Sequence, residues 1–194
     1  MRKLVLLEHV SLDGYLAGPG GDMRWIRFDE ELAAQIQPAF DGCDTAVWGR
    51  VTYEMMAGYW PTAADEPGAS DHDRQHGAWV NAATKLVFSR TLERAPWGES
   101  GQATIVPEDP GTAIARLKTQ PGGDMVLIGS ASIARACISA DLVDDYWLDV
   151  IPIVLGGGTR LFPDGANVPL KLVASRQLAS GVLALRYARA GTLP

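Results

Sequence analysis

Two segments of this chain share one layout. In Thr45-Ala46-Val47-Trp48-Gly49-Arg50-Val51-Thr52-Tyr53-Glu54 and again in Met125-Val126-Leu127-Ile128-Gly129-Ser130-Ala131-Ser132-Ile133-Ala134, a short apolar run ends at a glycine and helical periodicity begins at once. A buried strand followed by a tight turn and a helix, found twice, requires a sheet with parallel strands and crossover helices. It also creates a kind of site. The first N–H groups of a helix have no internal partner and its dipole is positive there, so a phosphate is the natural ligand. Arg50 adds a planar, permanently charged fork, Gly49 lets backbone approach closely, and Thr52 can donate a hydroxyl hydrogen bond. In the second segment Ser130 and Ser132 can cap the helix or bond a ligand. A glycine that only turns the chain, an arginine that only solvates it and serines that only cap fit the same residues.

Apolar or β-branched runs predict strands at 3–10, 45–48, 85–89, 104–106, 125–128, 145–153, 170–178 and 182–188. Helical periodicity covers 30–40, 52–58, 76–83, 112–118 and 132–140. Strand and helix alternate early. The last two strands are joined only by Ala179-Ser180-Gly181 and form a hairpin. The fold class that follows is α/β: a three-layer sandwich with a mixed, mostly parallel eight-stranded sheet ending in an antiparallel hairpin. The stretch 61–76, rich in Ala, Asp, Pro and Gly, reads as a mobile loop, and Gly156-Gly157-Gly158 as a turn that either lines the ligand cleft or serves the fold alone.

With 194 residues and 47% hydrophobic content the chain can bury one substantial core, and no segment resembles an interdomain linker, so a single domain over 1–194 is expected. A formal net charge of −6 without any Lys/Arg cluster argues against a nucleic-acid surface. Cys43 and Cys137 lack the paired spacing of a metal site and read as reduced, buried thiols. The N-terminal apolar run is cut short by Glu8 and His9, no long apolar span follows, and a cytoplasmic protein is expected. His72 and His76 stand at helical spacing without a third ligand after them, so no metal is assigned.

The Gly49-Arg50-Val51-Thr52-Tyr53-Glu54 and Gly129-Ser130 turns resemble the dihydrofolate-reductase-like fold, as do Ser11-Leu12-Asp13-Gly14-Tyr15-Leu16-Ala17 and Val150-Ile151-Pro152-Ile153-Val154-Leu155-Gly156-Gly157-Gly158-Thr159-Arg160-Leu161-Phe162. Closer still is the reductase domain of the bifunctional riboflavin-biosynthesis deaminase-reductase (the RibD C-terminal domain) and its stand-alone relatives. The resemblance spans residues 3–188. It implies NADPH lying across the strand ends beside a pocket for a pteridine- or pyrimidine-like ring, and a homodimer. By position it assigns Gly49, Arg50 and Thr52 to phosphate oxygens of NADPH, with Arg50 favouring NADP over NAD. Ser89, Arg90 and Thr91 fall at the adenosine end, and Gly129, Ser130, Ala131 and Ser132 at the pyrophosphate. The spacing that puts a pterin-binding carboxylate in the first helix of dihydrofolate reductases lands here on Ala33, with Asp29 and Glu30 out of register, which points away from dihydrofolate.

Hydride transfer asks little of the protein beyond alignment and a proton. Asp13, in the loop after the first strand, is the best-placed acid in the sequence, although Asp-Gly is also simply a favoured turn. Trp25 and Trp48 can wall a cleft by stacking on a flat ring, Trp60 can cover it, and each can equally be core. His9 reads as a strand residue. With the resemblance, the expectation is an NADPH-dependent reductase of a small heteroaromatic or carbonyl substrate; the alternative is a non-catalytic nucleotide-binding or sensor protein on the same fold.

Overall fold

The computed structural model describes residues 1–99 and 101–191; Ser100 and residues 192–194 of the expected 1–194 domain lie outside them. Twelve strands are present among the described residues. They are β1 (Leu4–Ser11), β2 (Tyr15–Ala17), β3 (Cys43–Gly49), β4 (Thr84–Phe88), β5 (Pro96–Trp97), β6 (Gly101–Gln102), β7 (Thr104–Val106), β8 (Asp124–Ile128), β9 (Asp145–Ile151), β10 (Thr159–Arg160), β11 (Leu170–Gln177) and β12 (Leu183–Arg189). The helices are α1 (Glu30–Ile36), α2 (Arg50–Ala57), α3 (Asp71–Ala82), α4 (Pro110–Lys118) and α5 (Ala131–Ser139).

Eight strands form one sheet in the order β11-β12-β9-β1-β8-β3-β4-β7. They are the eight expected from the sequence, and every pairing from β9 to β7 is parallel. The β11–β12 hairpin pairs antiparallel with itself and with β9 at one edge. The remaining short strands form two small ribbons, β10 with β2 and β5 with β6, too short to leave a periodic signal.

Strand alternation sorts the core into faces. Leu4, Leu6, Met125 and Leu127, all fully buried, meet Ala113 and Ile114 of α4 and Ile133, Ala134 and Cys137 of α5 on one side. Val5, Leu7 and Val126 meet Leu32 and Ile36 of α1 on the other, and Ala46, Trp48 and Val87 continue that layer under Tyr53 and Val80. Each Leu, Ile, Val or Met side chain among these contributes roughly 1.5–3 kcal/mol by leaving water.

The stretch 61–76 departs from the expected loop. A short 3-10 turn occupies Ala63–Asp65, and α3 begins at Asp71. The reason is a reciprocal capping box in which Ser70 accepts from the Asp73 backbone N–H while Asp73 accepts from Ser70. His72 and His76 use their helical spacing for packing, with stacked rings 5.4 Å apart beside Trp60.

Candidate active site

The chain leaves β1 toward β3 over the α1 face and leaves β8 toward β9 over the α5 face, so the two connections part between these neighbouring strands. Open sheets of this kind hold ligands in the crevice that this parting leaves at the strand C-terminal ends. The Gly129 turn stands there, and the Gly49 turn of adjacent β3 lies beside it. They interlock: the Gly49 N–H donates to Ser130 Oγ at 2.6 Å, and the Ser130 hydroxyl donates to Thr52 Oγ1 at 2.8 Å. A Cβ on Gly129 would meet Thr52 Oγ1 at 3.1 Å, and one on Gly49 would meet Ser130 Oγ at 3.2 Å. The Gly129 φ of 62° favours glycine, and a Cβ at Gly49 would press on the Ser130 side chain.

Ser130 has a left-handed φ of 67°, uncommon outside glycine, and its side chain is spent on the neighbouring turn. It does not cap α5, and no side chain caps α2. The other three helices carry side-chain caps from Asp29, Ser70 and Asp109. Unsatisfied first-turn donors are therefore gathered at this one edge of the sheet, where they fit the phosphates of a dinucleotide. Arg50 stands exposed at the start of α2 and holds Glu54 with both contacts at 2.9 Å. An exposed pair of this kind is worth roughly 0–1 kcal/mol and is readily exchanged for another anion. At the end of β4, Ser89 Oγ accepts from the Thr91 and Leu92 backbone N–H groups at 3.2 and 3.0 Å, leaving Arg90 and Thr91 exposed.

Asp13 is a brace and not the expected acid. Its Oδ1 accepts from Ser11 Oγ at 2.7 Å and from the Leu155 N–H at 3.1 Å, and its Oδ2 accepts from the Gly156 N–H at 2.8 Å. The Ser11 hydroxyl first, and then these backbone donors, lower its pKa to about 2. At neutral pH it has no proton to give. It hooks the glycine turn instead, and Gly158 seats the far end, where a Cβ would fall 2.1 Å from the Ala17 carbonyl.

Three titratable residues not singled out as site candidates from the sequence stand beside this crevice, Glu8 and Asp149 buried and His9 partly so. Ile128, the last residue of β8, lies opposite Leu7, while β1 and β9 stay paired as far as Ser11 and Ile151. Glu8 and His9 thus extend past the end of β8 on opposite faces. Burial raises the Glu8 pKa to about 8, against the opposing pull of the Gly129 backbone N–H, so its carboxyl is protonated at neutral pH. On the α1 face His9 Nδ1 lies 3.1 Å from Asp149 Oδ2 on the paired strand.

Residues 2–184 match the RibD C-terminal domain. The chain belongs to the RibD C-terminal domain family. It is 30% identical over 187 residues to the uncharacterized protein YyaP of Bacillus subtilis (strain 168), covering 96% of this chain and 94% of that one. In three dimensions it resembles a putative riboflavin biosynthesis protein from Shewanella sp. PV-4, at 22% identity and a TM-score of 0.70 over 98% of this chain and 100% of that one. A diaminohydroxyphosphoribosylaminopyrimidine deaminase/5-amino-6-(5-phosphoribosylamino)uracil reductase from Thermotoga maritima matches with a TM-score of 0.67 at 14% identity, over 97% of this chain and 57% of that one.

In this RibD C-terminal domain a cleft of about 720 Å³ opens between α1 and the start of α3, lined by Phe28, Gln37 and His72 among others. That is the size of a small-molecule site. Ala33 also lines it, together with Asp29, which is occupied as the α1 cap, and exposed Glu30 one turn earlier. Trp25 is half-buried against the α1-face core, its indole N–H donating to the Asp22 carbonyl at 2.9 Å. Trp48 is fully buried and stacks on Trp97 with centroids 5.5 Å apart, so it is core and cannot wall the cleft. Trp60 packs against His76 at 4.2 Å and is held in the same aromatic cluster. No helix among the described residues is long and apolar enough to cross a membrane.

Proposed function

We propose that this protein is an NADPH-dependent reductase of a small pyrimidine- or pteridine-like heteroaromatic or carbonyl substrate. The observation that carries the reading is the pairing of the two helix N-termini without side-chain caps, α2 and α5, across the Ser130 hydroxyl at the strand ends. Gly49, Thr52, Gly129, Ser130, Ala131 and Ser132 hold the phosphate oxygens of the dinucleotide. Arg50 releases Glu54 to meet the additional phosphate that distinguishes NADPH from NADH, and Ser89, Arg90 and Thr91 lie at the adenosine end. When bound, the nicotinamide supplies a hydride. The chain's part is to fix its position, keep water out and deliver a proton.

Membership of the RibD C-terminal domain family supports a reductase, and the pyrimidine acceptor named for the Thermotoga relative supports a flat nitrogen heterocycle as substrate. Trp25 is kept as a substrate-contacting side chain. The test is a titration with NADPH and with NADH, followed by quenching of the six tryptophans. Saturable binding that favours NADPH, with the preference lost in Arg50→Ala, is expected. No binding of either cofactor, or equal loss of both in Arg50→Ala, refutes the assignment.

A further inference from the structure

Resting on that reading, we propose that His9, oriented by Asp149, is the proton donor of this site and selects acceptors whose reducible bond is a ring carbonyl or ring imine. The pair has the marks of a working group more than of a structural one. Asp149 is 3% exposed, on a central strand between Leu148 and Val150. A carboxylate so deep is costly unless it is paired and hydrogen-bonded. Yet Asp149 Oδ2 and His9 Nδ1, only 3.1 Å apart, are not aligned in a hydrogen bond with each other or with any other group. Catalytic hydrogen bonds are often loose until ligand arrives, whereas pairs kept for stability are normally satisfied.

The placement is equally specific. His9 lies beyond the end of β8, at the level of the Gly129–Ser130 turn and on the side of the sheet that carries α1. Its ring meets the edge of Phe28 at 5.8 Å, and Phe28, half exposed, tilts against His72 at 5.1 Å where both line the cleft. Glu8, its neighbour, projects to the opposite face, and Asp13 is fully engaged with Ser11, Leu155 and Gly156. With Nδ1 nearest Asp149, Nε2 is the ring nitrogen left for a ligand, and the carboxylate 3.1 Å away fixes tautomer and orientation once the two groups align.

The step balances. The hydride from a reduced nicotinamide forms the new C–H bond, and the π pair of the C=O or C=N bond moves to its heteroatom. The Nε2 proton of the His9 imidazolium bonds that pair. The nicotinamide is oxidised and the acceptor reduced, and His9 ends neutral with its Nδ1–H held by Asp149 until water returns the proton.

The experiment uses the full chain with NADPH and two probes, isatin as a ring ketone and dihydroisoquinoline as a cyclic imine, in single turnover. His9→Ala and His9→Gln should each slow hydride transfer by roughly 100-fold, the usual scale of general acid catalysis, with NADPH binding changed less than about twofold. Added imidazole should restore His9→Ala and leave His9→Gln unmoved. Asp149 is a positioning residue. With three histidines in the chain, long-range proton–nitrogen spectra resolve the His9 tautomer without any turnover, and Asp149→Asn should change it. Rates within about twofold of wild type in both His9 variants overturn the proposal. So does an unchanged tautomer in Asp149→Asn, or a wild type that binds NADPH yet reduces neither probe. A wild type that binds no NADPH removes the cofactor reading instead, and the spectra still decide whether the pair is coupled.

Discussion

Replacing Glu8 by glutamine should stabilise this protein, and more so as the pH rises. Glu8 is 5% exposed, and burial lifts its carboxyl from 4.5 to about 8. The folded state therefore holds this proton more tightly than the unfolded chain does. The contribution of Glu8 to stability is greatest below pH 4.5, declines through the interval and levels off above about 8. The limiting slope is about 1.4 kcal/mol per pH unit, so by pH 7 the folded state has lost ~3 kcal/mol that a glutamine in this place, isosteric with the neutral acid, does not lose. For a chain of this length that is roughly 6–12 °C in Tm. Urea denaturation of both proteins across this interval reads the difference directly. His72 and His76 titrate in both and cancel in the comparison. The two proteins should agree at the acid end and diverge steadily above it. Parallel curves, or a Glu8→Gln variant less stable at pH 7, would refute the claim that Glu8 is held neutral.

Gly158→Ala should cost roughly 3 kcal/mol or more, because the new Cβ meets the Ala17 backbone at 2.1 Å in a left-handed conformation; a loss under about 1 kcal/mol by urea denaturation would show that the Asp13-braced loop can yield. Ser130→Ala leaves the Gly49 N–H without its partner and should cost roughly 1–3 kcal/mol together with NADPH affinity, whereas an unchanged titration would separate the turns from the cofactor. The β11 edge of the sheet exposes Leu172 and Val173 by 51% and 52%, an apolar spot that suits a second copy of this chain. Light scattering should find a dimer that Val173→Lys dissociates, and a monomeric wild type would exclude this edge as an interface.

The central sheet strands were legible because each is a run of apolar residues that crosses the core, and the edge strands β7 and β11 because they carry β-branched or apolar residues bounded by Gly, Pro or polar ones. The hairpin was legible because Ser180-Gly181 leaves no room for a crossover. What misled was composition taken without spacing: the loop-like residues of 61–76 hide the Ser70/Asp73 box that starts α3. At the site, the glycine turns could be seen in sequence, but not that one serine hydroxyl would join them, since Gly49 and Ser130 are distant in the chain. Asp13 reads as a loop acid, while its two backbone donors come from the loop after the neighbouring strand β9, 142 and 143 residues on in the chain. Glu8, His9 and Asp149 did leave a signal. Each is a charged or titratable residue inside an otherwise apolar central strand, where solvent is a scarce partner.

The hydroxyl that bridges the two turns has a further effect on what can bind. Because Ser130, at the start of α5, accepts from the Gly49 N–H and donates to the Thr52 side chain at the start of α2, neither helix start can drift from the other, and the gap between their free N–H groups is set before any ligand arrives. The edge behaves as a ruler. It discriminates by the separation of anionic groups along a ligand, so a molecule that spans both helix starts gains from both, and a lone phosphate meets only half the measure.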